Sequence, residues 1–280
     1  MTARKESLTL RSGRTLAWTE WGRENARAVL FCTGAGMSGS LGFGQDHLDD
    51  LGLRLLSFDR PGLGQSSFDP DKNFTTWASD VAEVVVARGL RDPLVVGFSQ
   101  GAPFALALAG LAERIAIVSG QDELAHESVK PLVNPQVAGF AEAVRQREPG
   151  FWNDFSSKVD ADGMWQLIAS MSGPKDLSLF ASEPFQSQYV NSLREGFSQG
   201  SRGYLQDLVL AMSPWAFVVE KVVTPVDLWY GRLDTSPVHS PDFGLSLSQR
   251  LPNATLEILD DEGSSILWTR AREILTKLSR

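Results

Sequence analysis

The 280-residue sequence holds a single cysteine, Cys32. No intrachain disulfide can form, and that usage fits a reducing cytoplasm. No apolar run approaches the ~20 residues that span a bilayer. The opening stretch, MTARKESLTL, lacks the apolar core of a secretory signal. Positive charge is scarce: 26 Lys and Arg stand against 34 Asp and Glu, for a formal net charge of -8. That balance argues against nucleic acid or an anionic membrane as a main partner. No spacing of His, Cys and carboxylates suggests a metal site. The stretch GLGQSS (62–67) lacks the third glycine and immediate helix of a dinucleotide-binding turn, so no cofactor is expected. Histidine is rare as well, with His47, His126 and His239 the full set.

What is present is a chain 42% hydrophobic and 21% charged, enough for a substantial core. ESLTLRS and RTLAWTEW alternate apolar and polar residues around Ser12-Gly13, which predicts an antiparallel hairpin. Short apolar runs follow at 28–33, 53–59, 93–98, 114–120, 225–231 and 254–260. Helical patterns separate them, including TTWASDVAEVVVARG and GAPFALALAGLA. Strands alternating with helices imply an α/β fold with a mostly parallel sheet and right-handed crossovers. The alternation stops after Gly120 and resumes near Pro225. The expected organisation is a core formed by residues 1–120 and 221–280, with residues 121–220 inserted as a helical cap. Ligands of such sheets bind outside the carboxyl ends of the strands, so the cap would roof a pocket there.

The sharpest local signal is GFSQG, Gly97 to Gly101, between the apolar run PLVV and a helical pattern. A G-x-S-x-G in that frame predicts a tight strand-to-helix turn that presents Ser99 as a nucleophile. CTGAG, Cys32 to Gly36, follows the first parallel strand. A turn there can aim the N–H of Ala35, together with that of Gln100, at an oxyanion formed on Ser99. FDRPGLGQS, Phe58 to Ser66, is read as structural, with Asp59 and Arg60 a charged pair fixing a Pro-Gly turn.

CTGAG, DRPGLGQSS and GFSQG, in that order, resemble the α/β-hydrolase superfamily, and the pattern spans nearly the whole chain. TPVDLWYGRLDTSPV is similar to that family's penultimate strand, which implies Asp234 as the triad acid. SRGYLQDLVLAMSPWAF resembles the end of a helical cap. LPNATLEILDDEG resembles the last strand, after which the family places a histidine. Two positions depart from the pattern. Thr33 stands where a histidine is usual in the oxyanion turn, and Ser264 stands where the catalytic histidine is expected.

None of the three histidines is an obvious substitute. His239 is only five residues beyond Asp234, so one short loop would have to orient the imidazole and also carry it to Ser99. His126 is expected to cap or decorate a helix where the cap begins, and His47 to lie on a surface helix. Serine cannot take the proton of another serine near neutral pH, and loss of a triad histidine costs about 10⁶ in turnover in subtilisin. The chain is therefore expected to be a serine hydrolase of an ester or related acyl compound that works through an acyl-enzyme, here impaired as a His-to-Ser variant. The alternative is a natural ligand-binding protein without catalysis. The fold also permits a peroxide-dependent side activity, to which nothing in the sequence points. Phe151, Trp152, Met164, Trp165, Met171, Phe180, Phe185 and Trp215 of the cap supply the expected apolar or aromatic acyl pocket, most of them by packing the cap itself.

Overall fold

The computed structural model describes residues 2–280. Its centre is one sheet of eight strands in the order β1-β2-β4-β3-β5-β6-β7-β8. The strands are β1 (Arg4–Thr9), β2 (Thr15–Gly22), β3 (Arg27–Cys32), β4 (Leu53–Asp59), β5 (Leu94–Phe98), β6 (Arg114–Val118), β7 (Val226–Gly231) and β8 (Ala254–Leu259). β1 pairs with β2 and β2 with β4 antiparallel; every other pairing is parallel. The expected hairpin is thus present as β1–β2, and each predicted apolar run carries a strand.

The central strands β3, β5 and β6 are apolar over Ala28–Cys32, Leu94–Phe98 and Ile115–Val118 because both faces are covered. Alternation sorts their side chains: Val29 and Phe31 enter one core, while Ala28, Leu30 and Cys32 enter the other. Cys32 is fully buried, and burial pushes its thiol up to about 12, as suits a packing residue. β8, at the sheet edge, is only half-buried.

In the first half of the chain the helices are α1 (Leu48–Leu51), α2 (Phe74–Ala87) and α3 (Gly101–Leu106). α2 starts where Asn73 accepts from the N–H of Thr75 and Thr76, while the Thr76 hydroxyl takes the Asn73 N–H. α3 is shorter than the small-residue pattern predicts. Beyond Leu106 the chain continues in tighter i→i+3 turns, such as Ala109 N–H to Leu106 O at 3.1 Å.

Between β6 and β7 lie α4 (Pro135–Gln146), α5 (Pro149–Lys158), α6 (Ala161–Met171), α7 (Pro174–Phe180), α8 (Phe185–Gly196) and α9 (Arg202–Met212). α10 (Leu245–Arg250) joins β7 to β8, and α11 (Ile266–Thr269) and α12 (Ala271–Leu278) complete the chain. Among the described residues no helix is long and apolar enough to cross a membrane.

β5 and α3 can approach the end of β3 only because Gly101 has no side chain. A Cβ at that position would collide with the carbonyl oxygens of Cys32 and Thr33, both backbone atoms that cannot swing aside. Gly101→Ala is expected to lower stability by about 1–3 kcal/mol, read as a lower urea midpoint at unchanged slope.

Candidate active site

Ser99 stands between β5 and α3 with φ of 52°, a left-handed conformation that a non-glycine residue adopts only when its surroundings impose it. Three backbone bonds impose it. The Ser99 N–H donates to Val118 O at 3.2 Å, and Ser99 O accepts from Ala102 N–H and Gln121 N–H, each at 3.0 Å. The ends of β5 and β6 are thereby tied, with the Ser99 hydroxyl projecting above them.

That hydroxyl lies 2.8 Å from Nε2 of His239, and His239 Nδ1 lies 2.7 Å from Oδ2 of Asp234. An ionised carboxylate only accepts, so Nδ1 carries the proton and Nε2 accepts from the Ser99 O–H. An imidazole held in this way can take the hydroxyl proton and return it. His239 is 7% exposed.

The expectation that Ser99 has no imidazole beside it is therefore corrected, and the short loop is the reason His239 reaches. Asp234 Oδ1 accepts from the Ser236 N–H at 2.9 Å, closing a tight Asx turn. His239 N–H then bonds Ser236 O at 3.3 Å, so the chain doubles back and returns the ring to the same carboxylate. Ser240 N–H donates to Gly120 O at 3.0 Å, which pins the returning chain to the segment after β6. β6 lies between β5 and β7, so a loop crossing its end carries His239 from the acid's strand to the serine's. The signal available in the sequence was Asp234-Thr235-Ser236-Pro237, a turn-forming run immediately before Val238-His239.

Ser264, expected at the missing base's place, lines the same cavity but bonds elsewhere. Its N–H donates to Asp176 Oδ2 at 3.0 Å, and the Ser265 N–H donates to Oδ1 at 2.8 Å. Asp176 belongs to α7 and is fully buried. Its carboxylate fits because the neighbouring residue is Gly263, where a Cβ would run into it. The loop after β8 thus holds a cap carboxylate. Sequence reading missed Asp176, since nothing in PKDLSLF distinguishes it from an exposed helix acid. His126 caps a local turn with Ser128, its Nδ1 3.2 Å from the Ser128 N–H, and His47 ends a short 3₁₀ turn; neither lines the cavity.

The expected Asp59–Arg60 pair is also corrected. Asp59 accepts from the N–H of Gly39 at 2.6 Å and of Gln65 at 2.8 Å. Arg60 turns the other way, toward Asp207 and the oxyanion turn. Ala35 of that turn and Gln100, at the start of α3, line the cavity beside Ser99, and neither N–H donates to a backbone acceptor among the described residues. Thr33 closes the turn through its hydroxyl, which donates to Met37 O at 3.0 Å.

The cavity measures about 260 Å³. Met164, Met171 and Phe180 of the cap line it, whereas Phe151, Trp165 and Phe185 meet neighbouring aromatic rings, Trp215 stacks on Phe217, and Trp152 packs against the core that holds Val29 and Phe31. None of the lining residues is Asp, Glu, Lys or Arg. Among the described residues no three His, Cys, Asp or Glu stand close enough to hold a metal ion. Removing the Asp176 carboxylate leaves two buried amides unpaired, a cost of roughly 1–3 kcal/mol for each. Asp176→Ala is expected to lower the urea midpoint and to speed hydrogen exchange at the Ser264 and Ser265 amides.

Comparison with known proteins extends this picture. A family model described as the alpha/beta hydrolase fold matches residues 27–271. An esterase from Exiguobacterium antarcticum superimposes with a TM-score of 0.65 at 17% identity, over 97% of each chain. A bromoperoxidase from Bacillus anthracis gives 0.70 at 19% identity over 98% of each chain. An esterase from a Rhodococcus species gives 0.63 at 16% identity, over 100% of this chain and 99% of the other. At these identities the structures agree in fold alone. The match of the family model over most of the sequence, on a fold of the same kind, means that this chain belongs to the alpha/beta hydrolase family.

Proposed function

We propose that the protein is an active serine hydrolase of neutral, apolar acyl compounds, with Ser99 as nucleophile, His239 as general base and acid, and Asp234 as the group that orients it. The observation that carries this reading is the unbroken chain Ser99 Oγ, His239 Nε2, His239 Nδ1, Asp234 Oδ2, with steps of 2.8 and 2.7 Å across the rings' polar ends. His239 takes the Ser99 proton as Oγ bonds to the acyl carbon. The negative charge moves to the former carbonyl oxygen, where the N–H groups of Ala35 and Gln100 are placed to receive it. Collapse expels the alcohol or other leaving group, which takes the proton from His239. Water then bonds to the acyl carbon while giving a proton to His239, and collapse returns that proton to Ser99 Oγ as the acid leaves. The Asp234 carboxylate stabilises the imidazolium in both halves without accepting its proton.

The cavity supports the choice of substrate. A cavity of about 260 Å³ without a carboxylate, ammonium or guanidinium in its wall suits a neutral acyl chain or ring and imposes a desolvation penalty on an ionic one. Esterase relatives in the same fold agree with an ester as the compound hydrolysed.

The test is labelling of Ser99 by a fluorophosphonate together with hydrolysis of a p-nitrophenyl ester series. Both are expected in the sequence as it stands. His239→Ala is expected to lower kcat by about 10⁴–10⁶, whereas Ser264→Ala retains hydrolysis. An inert parent protein, or loss on Ser264→Ala with retention on His239→Ala, refutes the assignment.

A further inference from the structure

We propose that Arg60 is a positioning residue for the oxyanion turn and that the cap, through Asp207, holds Arg60 to that task. The inference rests on the hydrolase reading above and goes beyond it by extending the working site into the interior of the protein.

Arg60 is fully buried, an expensive place for a guanidinium unless every N–H has a partner. Its Nη1 donates to Thr33 O at 2.5 Å and its Nη2 to Gly34 O at 3.0 Å. Its Nε donates to Asp207 Oδ2 at 2.8 Å, and its Cζ lies 4.8 Å from the centre of the Phe104 ring. The two carbonyls belong to successive peptide units of the CTGAG turn. A trans peptide points its N–H away from its C=O. Drawing Gly34 O inward to Arg60 therefore turns the Ala35 N–H outward, on the side where Ala35 lines the cavity with Ser99. Arg60 touches no substrate. It fixes the plane of the peptide that does.

Asp207 completes the arrangement. It sits in α9, fully buried, and its second oxygen lies 2.6 Å from Nζ of the equally buried Lys72. Lys72 in turn donates to Pro61 O at 2.7 Å and Gly203 O at 2.9 Å. One cap carboxylate thus serves two buried cations, and carbonyl oxygens supply the rest of their partners. Tyr204, Leu208 and Met212 of the same α9 line the acyl cavity. The helix that shapes the pocket also holds the guanidinium that orients the oxyanion donor.

A lysine at position 60 can keep the ion pair with Asp207, but one ammonium cannot reproduce the parallel N–H fork that holds both carbonyls. Arg60→Lys therefore separates orientation from charge. In steady-state hydrolysis of p-nitrophenyl butyrate, Arg60→Lys is expected to lower kcat about 10²-fold with KM within about threefold, as for a displaced oxyanion donor. A crystal structure of the variant is expected to show the Gly34–Ala35 peptide rotated. If Arg60→Lys does not fold, Asp207→Asn carries the test, with an expected kcat-selective loss of about tenfold. Unchanged kcat in the folded variant, or an unrotated peptide, overturns the inference while leaving the hydrolase reading intact. A parent protein that hydrolyses no ester and takes no fluorophosphonate overturns both.

Discussion

The site depends on a backbone bond that contains no catalytic atom: the Ser240 N–H to Gly120 O, which fastens the returning chain after β7 across the end of β6. Without it the loop from Asp234 to His239 has no reason to lie toward β5. With it, the carboxylate and the imidazole come from one six-residue turn, Asp234 to His239, and their mutual geometry is a local property of that turn. What remains to be set globally is the distance from imidazole to serine. That distance is fixed by the parallel ladders of β5, β6 and β7, inner strands buried on both faces and among the least deformable parts of the molecule.

A histidine supplied there releases the loop after β8 from that duty, and the structure puts the freed loop to another use. Its two buried amides, at Ser264 and Ser265, receive Asp176 from α7. Nearby, Thr235 donates its hydroxyl to Met171 O at the end of α6, so the acid's own loop is also tied to the cap. Elsewhere, Asp207 of α9 meets Arg60 and Lys72. Polar ties of this kind cost desolvation and contribute less net stability than apolar contact of the same area. Their effect is registry: they admit one placement of the cap over Ser99, which apolar packing alone would leave free to slide.

Much of this was legible in the sequence because it follows from pattern. Alternating apolar runs and helical stretches gave the strands in order, and GFSQG between PLVV and APFAL marked the turn at Ser99. The base was not legible, for a physical reason. The short separation of Asp234 and His239 in sequence suggests a limit on reach, whereas the Asx turn of Asp234, closed by the Ser236 N–H, shortens the path and returns the ring to the carboxylate. Asp176 and Asp207 were invisible for a different reason. A lone acid in a helix is usually solvated, and only tertiary contact distinguishes one that is buried. Arg60 adjoins Asp59 in sequence, but adjacency says nothing about which way a long side chain turns, and the guanidinium turns to Asp207.

The location of His239, the proposed base, also bears on which parts of the molecule must stay rigid. β8 is the edge strand, half-buried and paired on one side only. Edge strands and the loops beyond them open at lower free energy than inner ones. A histidine carried after β8 would share that mobility, and its distance to Ser99 would fluctuate with the edge. Carried after β7, it rides on a strand paired on both sides. The edge loop then couples to the cap through Asp176, where some movement is compatible with admitting a substrate and releasing a product. On the proposed mechanism, rigidity is placed at Ser99 Oγ and His239 Nε2, the two atoms that exchange a proton, and the give is left at the wall of the cavity proposed to take the acyl group.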